Sequence, residues 1–295
     1  MKAISLILIF LLIPACVLAQ GSTLKDAAGF PLKIDKQYER IVSLNPSASE
    51  IVASLGGEDN LIGVTTFCDY PEGLKTKEKI GSVLEIDYEK IVSLKPDLVL
   101  AMKEGNREKS VEILRSLGLN VFTLDRVRSF SDLFKNIQDC GLILDREREA
   151  AKIITDMKQD IARIKEKVKD RDRIKVFWQY GENPIVSANK ETLANEMIEI
   201  SGGVNIAADA KIRYPRYSLE EIIKRNPQVI ILTAMGLRGD EAKKEWGRYT
   251  TIRAVRDKRI HVIDSGLVCN LGPRLEEGLR QVAAAIHPGI FKNER

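Results

Sequence analysis

The 295-residue chain holds only two histidines, His261 and His287, and neither has a carboxylate or cysteine partner at metal-ligand spacing. It contains no G-x-x-x-x-G-K-S/T, no G-x-S-x-G, no H-E-x-x-H and no C-x-x-C. These absences exclude phosphate-cradling loops, nucleophile elbows, zinc-protease helices and dithiol redox centres. No nucleophile–base pair can be assembled, so no catalytic residue, cofactor or metal site is expected, and both histidines read as structural. Charge of one sign is lacking too: 46 basic residues against 42 acidic ones leave a formal charge of +4, well mixed along the chain. Without a basic block there is no nucleic-acid footprint, and the charge serves solubility. What is present is core-forming: 44 % hydrophobic and 30 % charged residues suffice for one large or two medium domains.

The first 19 residues are a different material. Lys2 opens a run from Ala3 to Ile13 that is apolar apart from Ser5, Pro14 breaks it, and Val17-Leu18-Ala19 forms an A-x-A-like cleavage site. That is the pattern of a secretory signal peptide, and the run is too short to stand as a permanent membrane helix. Ile13-Pro14-Ala15-Cys16 also resembles a lipoprotein cleavage box. Cleavage after Ala19 frees the protein into a periplasmic or extracytoplasmic space, whereas cleavage before Cys16 tethers it to the outer face of a membrane. In the first case Cys68, Cys140 and Cys269 remain, an odd number that leaves one thiol free or pairs it between chains. Their spacing matches no zinc pattern, and they are expected as isolated, buried or half-buried small residues.

One stretch occurs twice. Tyr88 to Leu100 and Leu219 to Ile231 carry a glutamate (Glu89, Glu220), two β-branched residues (Ile91-Val92, Ile222-Ile223), a proline (Pro96, Pro227) and an apolar run at matching offsets. Each copy predicts a short helix whose apolar pair faces a core, stopped before proline and followed by a buried strand. A period this long argues for two similar lobes and against a solenoid.

Around the repeats the chain alternates strands and helices. A turn-rich lead-in that reads as a hairpin occupies 20–38, and Arg40 to Leu44 is a strand. Ser47 is expected as an N-cap that forms a capping box with Glu50. Strands are expected at Leu61 to Thr65, Val121 to Leu124, Ile174 to Gln179 and Arg259 to Ile263. Helices are expected near 107–117, near 129–141, at Glu191 to Ile200, at Ile252 to Arg256, and from Gly272-Pro273 to Ile286. Alternation of this kind implies parallel pairing. From Asp145 to Lys169 there is neither glycine nor proline, and Ile154, Met157, Ile161, Ile164 and Val168 make one apolar stripe. Some 25 helical residues reach roughly 38 Å, about the width of two small lobes. A stiff inter-lobe strut and a coiled-coil dimer seam both fit that stripe, and the strut is the reading adopted. The fold class expected is α/β, with two Rossmann-like lobes of parallel sheet joined by one long rigid helix and a ligand cleft between them. The divisions are a leader at 1–19, an N-terminal lobe at 20–143, the helix at 144–170 and a C-terminal lobe at 171–295.

In open α/β sheets the loops after the strands form the ligand crevice. Those loops carry Tyr70, Trp178, Tyr180, Tyr214 and the segment Gly266-Leu267-Val268-Cys269-Asn270. Trp178 is expected to turn into the core and leave Tyr180 facing the crevice. Tyrosines suit a large flat ligand because they add contact area with few rotors and keep a polar tip. Glu89 and Glu220 each start a helix, where the dipole alone could account for a carboxylate. Matching sites on two related lobes also suit a two-fold partner that offers one arginine twice.

Ile41-Val42-Ser43-Leu44-Asn45-Pro46-Ser47-Ala48-Ser49-Glu50, Cys68-Asp69-Tyr70-Pro71, Gly105-Asn106, Gln179-Tyr180-Gly181 with Asn183-Pro184, and Tyr214-Pro215 make up an ordered set of motifs. In that order and spacing they resemble the substrate-binding proteins of ABC importers for metal chelates (the class III binding proteins), and within that family its cobalamin-binding branch. The resemblance runs over about residues 38–288. It implies that a cobalamin or related corrinoid is held between the lobes, with Tyr70 on one side and Tyr180, Tyr214 and Gly266 to Asn270 on the other; Cys68, a departure from the family, falls on the Tyr70 loop and is expected to face the same cleft. It further implies that Glu89 and Glu220 dock on arginines of the ABC importer's permease dimer and that the protein itself is a monomer. The family's best-known members have a tryptophan where Val83 stands, an acidic residue where Gly266 stands, and a cysteine pair that is missing here. Haem or a ferric siderophore is the alternative cargo.

Overall fold

Local sequence sets most of the elements in the computed structural model, which describes residues 22–233 and 239–291. The proposed leader, Cys16 included, lies outside the described residues. Strands β1 (Ser22–Lys25) and β2 (Pro31–Ile34) pair as an antiparallel hairpin. Then follow β3 (Ile41–Ser43), α1 (Pro46–Ser54), β4 (Leu61–Val64), β5 (Glu78–Lys79), α2 (Tyr88–Ser93), β6 (Leu98–Met102), α3 (Glu108–Ser116), β7 (Val121–Leu124) and α4 (Phe130–Leu144). Helix α5 (Glu147–Val168) leads to β8 (Ile174–Gln179), β9 (Gly181–Glu182), β10 (Ile185–Val186), α6 (Leu193–Ile200) and β11 (Gly203–Asn205). The chain ends with α7 (Leu219–Arg225), β12 (Val229–Thr233), α8 (Gly239–Trp246), α9 (Arg253–Arg256), β13 (Ile260–Ile263), α10 (Ser265–Val268) and α11 (Leu275–Ile286).

Two parallel sheets result. The first has the order β5-β4-β3-β6-β7 and the second β11-β8-β12-β13. Setting β3 against β8 and β6 against β12 makes the orders coincide, apart from the extra edge strand β5. The duplicated sequence is therefore a duplicated position, since α2-β6 and α7-β12 occupy the same place in their lobes. Matching caps reinforce this: Asp87 accepts from the Lys90 N–H at 2.9 Å, and Ser218 Oγ accepts from the Glu221 N–H at 3.3 Å. Lys95 and Asn226, one step before each proline, both adopt positive φ, at 49° and 47°. The expectation that both residues of each apolar pair face a core is corrected. Ile91 and Ile222 are fully buried, but Val92 is 43 % and Ile223 36 % exposed, because these short helices turn only one face inward.

Helix α5 has 22 residues, about 33 Å of rise. Met157, Ile164 and Val168 are buried and Ile154 and Ile161 half-buried, all within one apolar cluster that runs through both lobes. Helix α5 packs against α4 on one side and α6 and α11 on the other. Its apolar stripe is thus covered by its own chain, which leaves no seam for a coiled-coil partner. Each fully buried aliphatic side chain there contributes about 1.5–3 kcal/mol, and Met157→Asp would break the contact. A buried acid on the same helix, Asp160, is held by Arg163 and by Arg280 of α11 (Arg280 Nε to Oδ2, 2.6 Å). Among the described residues no helix is long and apolar enough to cross a membrane.

Candidate functional site

The carboxyl ends of both sheets point loops at one another, and the chain is stitched across that gap by polar contacts. Helix α1 begins the stitching. Its N-cap is Asn45, whose Oδ1 accepts from the Ser47 N–H at 2.9 Å, with Pro46 in the first turn. The expected capping box of Ser47 and Glu50 is therefore corrected: both side chains have partners 224 residues away. Ser47 Oγ accepts from the Leu271 N–H at 2.9 Å. Glu50, 2 % exposed, accepts from Arg274 Nε at 3.0 Å, Nη2 at 2.9 Å and the Arg274 N–H at 3.1 Å. Burial pushes the Glu50 carboxyl above its ordinary range, opposed by these Arg274 bonds. Close approach is possible because Gly272 has no Cβ; one placed there would lie 2.6 Å from Glu50 Oε1. A second stitch joins Glu104, after β6, to Arg213 in a two-pronged pair at 2.8 and 3.2 Å.

Beside the first stitch lies a cavity of about 410 Å³, lined from one lobe by Phe67, Asp69 and Tyr70 and from the other by Gly266, Cys269, Asn270 and Arg274. The Arg274 guanidinium sits 3.7 Å from the centre of the Tyr70 ring. Tyr70 is nonetheless 47 % exposed and Phe67 66 %, so one aromatic face stays open to the gap. On the second lobe Tyr180 lies edge-on to Tyr214 at 6.0 Å, and Tyr214 is 45 % exposed. Burial pushes both phenols above their usual range, with Cys269 the next contributor for Tyr180 and Glu104 for Tyr214. Both stay neutral and able to donate. Burial, then Asp264, pushes the Cys269 thiol up to about 12, so it is a thiol and not a thiolate at neutral pH. The loop under the gap is fixed by Asn106, which accepts from the Met102 N–H at 2.9 Å and donates to the Leu44 carbonyl at 2.9 Å. Gly105 precedes it at φ 103°, a conformation open to glycine.

Three expectations change here. Cys68 is 2 % exposed and its sulfur lies 3.3 Å from Ser49 Oγ and 3.2 Å from Thr65 Oγ1, so it turns away from the cleft. Leu267 and Val268 are buried among core side chains; within Gly266 to Asn270, only the glycine, Cys269 and Asn270 line the cavity. Trp178 does turn fully inward, but Tyr180 stacks on it at 5.9 Å and 18°. A period of two places residues 178 and 180 on one face, so Tyr180 packs against the core beside Trp178 and is not among the residues lining the cavity. Neither histidine lines the cavity, and burial lowers the pKa of both. Among the described residues no group of three or more His, Cys, Asp or Glu could hold a metal. The three described cysteines are free. Glu89 and Glu220 are exposed on α2 and α7. Sequence reasoning missed Arg274, Glu104 and Arg213. Its one available signal was Glu50, an acid flanked by the buried Ile51 and Val52, which demands a cation from elsewhere.

Two α/β lobes of like topology, with a cavity lined from both of them and a long helix bracing them, define a two-lobed binding protein. The chain belongs to the periplasmic binding protein family, whose sequence profile matches residues 41–267. It is 36 % identical over 277 residues to the uncharacterized ABC transporter substrate-binding lipoprotein YvrC of Bacillus subtilis, covering 92 % of this chain and 87 % of that one. Among solved structures, the periplasmic vitamin B12 binding protein BtuF of Vibrio cholerae matches with a TM-score of 0.75 and 26 % identity, over 87 % of this chain and 99 % of that one. A periplasmic heme binding protein from Pseudomonas aeruginosa matches with a TM-score of 0.77 and 26 % identity, over 86 % and 94 %.

Proposed function

We propose that this protein captures a cobalamin-like corrinoid between its lobes, outside the cytoplasm, and delivers it to the permease dimer of an ABC importer without catalysing a reaction. The observation that carries the reading is a pair of exposed tyrosines on opposite lobes, Tyr70 lining the cavity and Tyr214 standing edge-on to Tyr180. A broad planar ring buries both aromatic faces at once, and Tyr180, Gly266, Cys269 and Asn270 supply its polar and shape contacts. The likeness to a vitamin B12 binding protein across nearly all of that chain supports this cargo. Glu89 and Glu220 are the docking carboxylates in this reading. A second reading, haem or a ferric siderophore, is favoured by the likeness to a heme-binding neighbour.

Absorbance titration separates the two. Cyanocobalamin added to purified apo-protein should shift its corrin bands saturably at micromolar protein and quench tryptophan fluorescence. No saturable change with cyanocobalamin, but a shifted Soret band with haemin, would replace the first reading by the second.

A further inference from the structure

The duplicated helices carry more than their glutamates. Val92 and Ile223 stand at the same offset from Glu89 and Glu220, three residues along one helical face, and are 43 % and 36 % exposed. Single exposed aliphatic residues are ordinary on a surface. These two are set apart by what has changed around them. Between the copies Lys90 stands for Glu221, Ser93 for Lys224 and Lys95 for Asn226, so the neighbouring polar positions differ. Core packing does not explain the retained side chains, because the buried role in each helix falls to Ile91 and Ile222. The neighbouring charges are engaged within the chain: Lys90 with Glu78 at 2.7 Å and Glu221 with Arg225 at 2.7 Å. Glu89 and Glu220, by contrast, have no ion-pair partner among the described residues, the Glu220 carboxylate bonding only to Ser218 and to its own backbone N–H.

We infer that each lobe presents a two-part docking element, an exposed carboxylate outside any ion pair with an aliphatic knob one turn beyond it: Glu89 with Val92, and Glu220 with Ile223. The occupant is a single two-fold symmetric membrane protein that offers a cation beside an apolar socket, once in each half. Charge complementarity selects the cation, and duplication of the element on two lobes of like topology selects the symmetry. The carboxylates steer and orient the encounter. The knobs, buried on contact, hold it. The inference rests on the carrier reading above and adds to it the residues that set the lifetime of the complex.

The test uses the full mature chain and its cognate ABC importer in nanodiscs, with binding followed by surface plasmon resonance. Val92→Ser and Ile223→Ser should each weaken the complex about fivefold and the pair about 25-fold, through faster dissociation. Glu89→Ala with Glu220→Ala should instead slow association and flatten its salt dependence. All variants should keep the parent's circular dichroism and its cyanocobalamin titration. A Val92→Ser/Ile223→Ser variant with the parent's dissociation rate overturns the inference, provided the double glutamate variant binds weakly. If the glutamate variant also binds like the parent, the docking reading itself is wrong. If only the corrinoid titration fails, the cargo is wrong and the docking element stands.

Discussion

Removing the Arg274 side chain should expose how strongly the cleft depends on one buried charge. In the parent, Glu50 is 2 % exposed and accepts three hydrogen bonds from Arg274, two of them from the guanidinium. Arg274→Ala leaves that carboxylate buried with only a backbone N–H, a situation that costs about 3–5 kcal/mol when the charge persists. The cost must depend on pH. Burial already raises the Glu50 pKa above its ordinary 4.5, and loss of the guanidinium raises it further. A carboxyl with a raised folded pKa holds its proton better folded than unfolded, so its stability contribution is largest at low pH and is lost as pH climbs through the folded value. As the pH falls the variant can protonate Glu50, and the deficit should shrink toward about 1–2 kcal/mol, the worth of the lost hydrogen bonds. Urea unfolding at pH 5 and pH 8 measures both values. Glu50→Gln placed in the Arg274→Ala background should recover most of the loss at pH 8, because no charge is left to bury. A variant within about 0.5 kcal/mol of the parent at pH 8, or an equal deficit at both pH values, would refute the reasoning.

Other consequences can be measured on the same protein. Tyr70→Ala and Tyr214→Ala should each weaken corrinoid binding about tenfold, as truncation of an aromatic anchor does, with the fold retained by circular dichroism. Cys269 should be the one described thiol that Ellman's reagent reaches in the native state, slowly at pH 7 and about tenfold faster per pH unit up to pH 9, given its pKa of about 12. Bound ligand should block it, while Cys68 and Cys140 react only after unfolding. Glu276 is held up to about 7 by burial, then by its hydrogen bond to Asp160. Its contribution to stability should therefore fall between about pH 4.5 and 7, and Glu276→Gln should flatten that part of the profile.

The architecture was legible because it is written in local periodicity. The stripe Met157, Ile161, Ile164 and Val168 has a helical spacing that no strand could use, and the repeated proline stops fix where α2 and α7 end. The cleft was legible only in its aromatics. Its electrostatics are contacts between residues far apart in the chain, and a local pattern can mimic a different use: Ser47 and Glu50 have capping-box spacing, yet both bind across the gap. Cys68 shares a loop with Tyr70 but alternates inward, and adjacency in sequence said nothing about that. The exposed Val92 and Ile223 were hidden in the opposite way, since β-branched pairs in short helices read as core until one turn is seen to face solvent.

Hydrogen exchange of the mature protein with and without saturating cyanocobalamin tests the cleft most directly. The account predicts new protection at both rims together, in 66–71 on the first lobe and in 212–216 and 264–270 on the second, with α5 unchanged. Protection confined to one lobe, or none at these loops despite saturable binding, would contradict it.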